Sequence, residues 1–530
     1  MAEQCHIEST DGVDSSSKLS PAQGEIHSDI SASAAVSDGA VVVPPTIQAV
    51  PEGVVTSPQQ LLRLLPRKIR RVVAKHGGVY VVMEGPSQYA VLLRSPKGKL
   101  VIRSLAQHYG IALRSSDVAD IIEYLHADAE MHAQTVDVWQ RVAVIPGGVE
   151  IDLGDENHNR VRITPGMVEL VAVGSTTLFA RSSTIRPMPV PAAAGNIKLL
   201  KGYLNIYDDS FVLLVAYLTY TLAHAKVSTS KFLILVIGGH QGSGKTWTNR
   251  VIKRLIDPSA IEVQSMPGNG RDLAIAAQGA HLLCYDNLRA LTPAVADLLC
   301  IASTGGSVAT RQLYTDAEQA IHVLHVALVL NGIHSFIDQP DLAQRCLRID
   351  QRPLAEGRRR TEEEMTAQLN ADMPVILRGI FELIANILTH LPEAEVTNPE
   401  RMLDFVRWLA AMEKVNAVPA GVYQAVYSAT LQQGQLDSLM ENHLAAVVVE
   451  FAETHMDGKW SGTPAELLAE LNAHVAIAAQ RTSDWPKNPI SLSKRLNSLQ
   501  AGLSSQGIRV ELTRGKQRTV TITKIGGSHD

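Results

Sequence analysis

The stretch KFLILVIGGHQGSGKTWTNRVIKRLID, residues 231–257, leaves few folds open to this chain. KFLILVIG is a short continuous apolar run, the pattern of a parallel strand buried on both faces. A glycine-rich loop follows at once, and helical periodicity follows the loop. A strand that hands over to a helix in this way belongs in an α/β core, because parallel strands need a crossover to reach one another. Two more apolar runs, AHLLCYD (280–286) and VLHVALVLNG (323–332), supply the neighbouring strands.

The loop fits the spacing G-x-x-x-x-G-K-[ST] with Gly239, His240, Gln241, Gly242, Ser243, Gly244, Lys245 and Thr246. Glycines let successive backbone N–H groups turn inward around phosphate oxygens; the lysine reaches the β- and γ-oxygens, and the Thr246 hydroxyl offers a hard ligand to Mg²⁺. ATP and Mg²⁺ are therefore the expected cofactors. Asp286, at the end of HLLCYD, is placed to hold the metal opposite Thr246. Asn287 then stands where an acid would polarise the attacking water, and an amide orients water but accepts a proton poorly. Asn331 ends the next strand and is a candidate to position that water. Arg345, in DLAQRCLRI, is a candidate to reach a neighbouring subunit's γ-phosphate. Taken singly, Asp286 and Asn331 also read as turn residues closing strands, and Arg345 as a solvated surface arginine.

The remainder of the 530 residues divides by composition. Residues 1–58 contain no aromatic side chain and are rich in Ser, Ala, Val, Gly and Pro, which predicts a disordered tail. Residues 59–195 mix helix with short β-branched strands, as an α+β domain without a catalytic constellation. Residues 196–355 form the α/β core and 356–478 a helical region. Within the core, FVLLVAYLTYTLAHA (211–225) is too short for a membrane span and reads as a buried helix. Four widely spaced cysteines without a CxxC pair argue against disulfides or a zinc cluster. With no signal-peptide pattern at the start, the expectation is a cytoplasmic protein with no membrane partner. His322 and His325 lie three apart on one apolar run, on opposite faces if the run is one strand, which argues against a metal pair.

Residues 479–530 read as a helix followed by a β-ribbon. Leu492, Leu496, Leu499 and Leu503 make one apolar stripe, Lys494 and Arg495 fall off it, and Arg514, Lys516 and Arg518 cluster at the ribbon turn. From 482 onward eight basic residues face three acidic ones, a local charge of +5 in a chain of net charge −5. That asymmetry fits a winged helix contacting DNA phosphates.

In order and content, residues 205–350 resemble superfamily 3 helicases and the helicase half of phage and poxvirus-type primase-helicases, within the AAA+ group. The resemblance rests on FVLLVAYLTYTLA, GHQGSGKT, HLLCYDN, TGGSVATRQLY, LVLNG and DLAQRCLRI. It implies an AAA+-like P-loop NTPase core, ATP-dependent DNA helicase or translocase activity, and a homo-oligomer, a hexameric ring by analogy, with Arg345 acting between subunits. It also implies that TGGSVATRQLY forms a channel hairpin in which Arg311 and Tyr314 meet single-stranded or forked DNA. Proteins of this layout occur on phages and mobile elements. Asn287 keeps open a different class, a nucleotide-gated, DNA-binding regulator or scaffold with slow turnover.

Overall fold

The computed structural model describes residues 57–525 apart from 312–318, 333–335, 338, 355–359, 455–457, 482–484 and 515–517. The expected tail thus lies outside the described residues but for its last two, Ser57 and Pro58, which open the first helix. Ser57 caps that helix, Pro58–Lys68, by accepting from the Gln60 backbone N–H, with proline in the first turn where its missing N–H costs nothing.

This helix and two more, Pro96–His108 and Ser115–His132, share an apolar core with a five-stranded mixed sheet. The sheet runs in the order Gln134–Val136, Arg71–Ala74, Val79–Met83, Tyr89–Leu92, Phe179–Ala180. A four-stranded antiparallel meander follows: Val142–Ile145, Gly148–Asp152, Arg160–Thr164 and Met167–Val171. Its Val149, Ile151, Val161 and Ile163 are buried in the same cluster as the helices Asp208–Ala223 and Glu362–His390. A smaller cluster, with Val72, Tyr80, Val82 and Leu178, covers the other face of the five-stranded sheet, so segment 59–195 contributes to three cores.

The central sheet has four parallel strands in the order Leu282–Leu288, Ala327–Gly332, Ile234–Gly238, Cys346–Asp350. Alternate side chains leave it on opposite faces, as the two-residue period requires. Leu235, Ile237, Cys284, Val329, Leu347 and Ile349 enter one core; Ile234, Val236, Tyr285, Leu328 and Leu330 enter another. Burial on both sides is why these strands are apolar without alternation. Helix Asp208–Ala223 covers one face and is buried around nearly its whole circumference.

One apolar run divides where the sequence shows none of the usual breakers. Residues 323–332 are not one strand: Gln319–Leu324 pairs antiparallel with Gly306–Arg311 as a hairpin, and the core strand begins only at Ala327. Between them His325 is buried against Phe232, ring centroids 5.1 Å apart, and the Val326 N–H donates to the Ala302 carbonyl at 3.1 Å. His322, opposite Val308, belongs to the hairpin, so the two histidines do not share a strand.

Beyond the core, helix Glu362–His390 starts with a reciprocal capping box between Thr361 and Glu364. Helices Leu403–Val415 and Val422–Glu441 follow. The C-terminal sheet runs Lys459–Gly462, Arg518–Lys524, Ile508–Arg514, all antiparallel. Its core joins Leu492, Leu496 and Leu503 to Leu444, Val448 and Phe451, residues well before 479. Among the described residues no helix is long and apolar enough to cross a membrane.

Candidate functional site

The strand Ile234–Gly238 delivers the chain into the loop at the carboxyl edge of the sheet. Gly242 and Gly244 take φ of +79° and +97°, where a Cβ is unfavourable, and Gly244 sits at the N-cap of helix Lys245–Ile256. Loop, strand and helix thus make a backbone cradle of the kind that binds anions. Lys245 folds over the loop's first turn, its Nζ donating to the carbonyls of Gly239 at 2.7 Å and His240 at 2.9 Å. An ammonium has three donors, so one is left for a ligand. Partial burial lowers the Lys245 pKa from its usual value, against the pull of the Asp286 carboxylate.

Asp286 comes from a different strand. The Thr246 hydroxyl donates to its Oδ2 at 2.7 Å, so the start of the loop helix and the end of the acid strand converge. What makes the convergence possible is a bulge: Tyr285 pairs with Leu330 and Leu288 with Gly332, leaving Asp286 and Asn287 opposite Asn331 alone. Bulges re-aim side chains in this way. Asn287 absorbs the kink at φ +58°, a conformation that asparagine tolerates better than most residues.

In that conformation the Asn287 backbone N–H donates to Asp286 Oδ1 at 2.6 Å and to Asn331 Oδ1 at 3.2 Å, while its side chain is exposed. Asn331 is buried, beside Ile237 of the loop strand, and its Nδ2 has no protein partner. Its oxygen is engaged by the Asn287 N–H, which leaves the Nδ2 donor as the unpartnered end of the amide.

Arg345 lies elsewhere. It precedes Cys346, which pairs with Ile234 at the far end of the loop strand, about 16 Å by strand spacing from the level of Asp350 beside the loop. Its guanidinium is held by Asp341, at 2.7 Å to the carbonyl and 2.6 Å to the carboxylate. Within one subunit it does not join Lys245, Thr246, Asp286, Asn287 and Asn331.

The proposed DNA contacts fall in two places. Arg311 ends the hairpin strand Gly306–Arg311, and Tyr314 lies outside the described residues. Lys494 and Arg495 are on helix Pro489–Ser505, Lys494 exposed. Arg514 and the exposed Arg518 pair across the ribbon end, and Lys516 lies outside the described residues.

Three residues at the site carry no sequence signal. Buried Asn249 ties the loop helix to the acid strand, Nδ2 to the Tyr285 carbonyl at 3.2 Å. Gln351 and Asn205 both grip Ser243, from segments 108 and 38 residues away. No spacing rule reaches so far. Among the described residues no three His, Cys, Asp or Glu side chains gather as metal ligands.

Over residues 199–437 the chain matches the family model of the actinomycete integrative conjugative element replication protein, and over 444–529 that of the AICE RepA C-terminal domain. No curated protein matches. Similar solved structures include the A form apo structure of the NrS-1 C-terminal region, at 13% identity and TM-score 0.37, covering 89% of this chain and 100% of that one. Another is the X-ray structure of JCV helicase, at 14% identity and TM-score 0.19, covering 43% of this chain and 66% of that one.

Proposed function

We propose that this chain is a replication protein of an integrative conjugative element and acts as an ATP-driven DNA helicase or translocase. The observation that carries the reading is the 2.7 Å contact between Thr246 Oγ1 and Asp286 Oδ2 beside the glycine loop. A hydroxyl and a carboxylate set together at a phosphate cradle are hard oxygen donors suited to Mg²⁺. That ion, when bound with ATP, neutralises charge on the β- and γ-phosphates.

The protein's own groups divide the remaining work. The loop N–H groups bind phosphate oxygens, and the third Lys245 donor reaches the β- and γ-oxygens. Asn331 Nδ2 donates to a γ-phosphate oxygen or orients the attacking water; its amide oxygen, which accepts the Asn287 N–H, is too weakly basic to take a proton. Asn287 contributes through its backbone, which fixes Asp286 and Asn331 relative to each other. None of these residues supplies a strong base, so rate depends on charge stabilisation, and the missing positive charge is Arg345 of an adjacent subunit in a ring. Its distance from its own loop supports action in trans. The hairpin 306–324 and a winged-helix C-terminal unit with Lys494, Arg495, Arg514, Lys516 and Arg518 engage DNA.

Asn287 favours one second reading, in which ATP holds a DNA-bound assembly together and turnover is slow. A forked-duplex unwinding assay separates them. Arg345→Ala and Lys245→Ala proteins, each inactive alone, are expected to regain part of the unwinding when mixed, because a mixed interface pairs an intact loop with an intact arginine. No unwinding by wild type at any assembling concentration contradicts the motor and leaves the scaffold.

A further inference from the structure

The loop crest is held from two sides by residues that no motif contains. Ser243 is buried, and its hydroxyl donates to Gln351 Oε1 at 2.9 Å. Gln351, itself buried, turns its Nε2 onto Thr248 Oγ1 at 2.6 Å, in the first turn of the loop helix. Its backbone N–H donates to the Gly238 carbonyl at 3.1 Å. One side chain and one N–H therefore join the end of the loop strand, the crest and the helix start. On the other side, Asn205 Nδ2 donates to the Arg352 carbonyl at 2.6 Å and, more weakly, to the Ser243 carbonyl at 3.4 Å.

The direction of the Ser243 carbonyl matters because a trans peptide sets its C=O and N–H on opposite sides. Holding the Ser243 oxygen toward Asn205 therefore directs the Gly244 N–H to the opposite side of that peptide, away from Asn205. A glycine at φ +97° is what lets the following residue enter the helix from that orientation. We infer that Gln351 and Asn205 are positioning residues that pre-form the phosphate cradle by fixing the Ser243 side chain and its carbonyl, so that the Gly244 N–H faces the ligand before the ligand arrives. The inference rests on the nucleotide-binding reading above. Pre-organisation acts on binding, since it removes an ordering cost that nucleotide would otherwise meet, and leaves the chemical step alone.

The test is fluorescence titration of the full chain with N-methylanthraniloyl-ADP, alongside steady-state ATPase. Gln351→Met, similar in volume but without either hydrogen bond, is expected to weaken ADP binding about tenfold, as is Asn205→Ala. In both, KM for ATP rises while kcat at saturation stays within about twofold. Thr248→Ser keeps the hydroxyl under Gln351 and should bind like wild type, whereas Thr248→Val should weaken binding. A merely structural role would lower the melting temperature without this split between KM and kcat. Asn205 is half-exposed, so its variant tests the idea even if Gln351→Met does not fold. Wild type that binds while Gln351→Met and Asn205→Ala match it within twofold overturns the inference; wild type that binds no nucleotide overturns the reading beneath it.

Discussion

Replacing Asp257 by asparagine should be among the most damaging single changes in the core. The carboxylate is buried at the end of the loop helix and accepts four hydrogen bonds. These come from Arg141 Nε at 3.1 Å, Lys253 Nζ at 3.0 Å, and the backbone N–H groups of His281 at 2.9 Å and Leu282 at 3.2 Å. One anion thus joins the meander, the loop helix and the start of the acid strand. The side chains of Lys253 and Arg141 are 2% and 1% exposed, so neither can turn to water if the charge disappears. Breaking a buried pair in this way costs about 3–5 kcal/mol, a large part of the 5–15 kcal/mol that holds typical proteins folded. Urea unfolding followed by circular dichroism reads the loss as a fall in midpoint at unchanged slope. The pH dependence adds a second signature. Burial alone would raise the Asp257 pKa, but Lys253 and Arg141 hold it well below the usual carboxylate range. Its contribution is therefore complete above the unfolded value of 3.8 and declines as pH falls below it, so wild type and Asp257→Asn should converge only under about pH 4. A difference under about 1 kcal/mol at pH 7 would refute the brace.

Mild acid acts through histidine instead. Burial pushes the pKa of His281 and of His325 from 6.5 down to about 4, so the stability each contributes is complete above pH 6.5 and falls toward pH 4, by about 2 kcal/mol for each at pH 5; His281→Gln should remove about 2 kcal/mol of the loss that urea unfolding reads between pH 7.5 and 5. Gly244→Ala would place a Cβ in open space, yet at φ +97° it should cost about 1–2 kcal/mol by backbone strain and weaken ADP binding; a variant with normal midpoint and affinity would show that the turn is not required. Arg518→Ala should weaken duplex binding about equally across sequences and lower the slope of log K against log salt by about one, whereas an unchanged slope would remove Arg518 from the phosphate contacts.

What could be read ahead of the structure was whatever leaves a local pattern. The loop strand, the glycines, Lys245, Thr246 and the leucine stripe of helix Pro489–Ser505 are each written in neighbouring residues, and Asp286 and Asn331 stand at the ends of apolar runs. The bulge that sets Asp286 and Asn287 against Asn331 has no such trace, because register is a relation between strands. The division of residues 323–332 escaped for a similar reason: LHVA is apolar enough to continue a strand, and the contacts at the break, His325 on Phe232 and the Val326 and Ala327 N–H groups on the Ala302 and His281 carbonyls, come from distant segments. Gln351 and Asn205 serve the loop from distant segments, and the meander shares a core with helices it precedes. Tertiary contacts of this kind follow from the fold and no periodicity announces them.

On the proposed function, the glycine loop and the bulged acid strand form a nucleotide-hydrolysing site whose work is done on DNA. Steady-state ATP hydrolysis, with and without single-stranded DNA, for wild type, Lys245→Ala and Asp286→Asn, addresses it most directly. Mg²⁺-dependent turnover is expected to rise severalfold with DNA in wild type and to fall by at least about a hundredfold in both variants. Turnover that ignores DNA, or that survives either substitution, would contradict it.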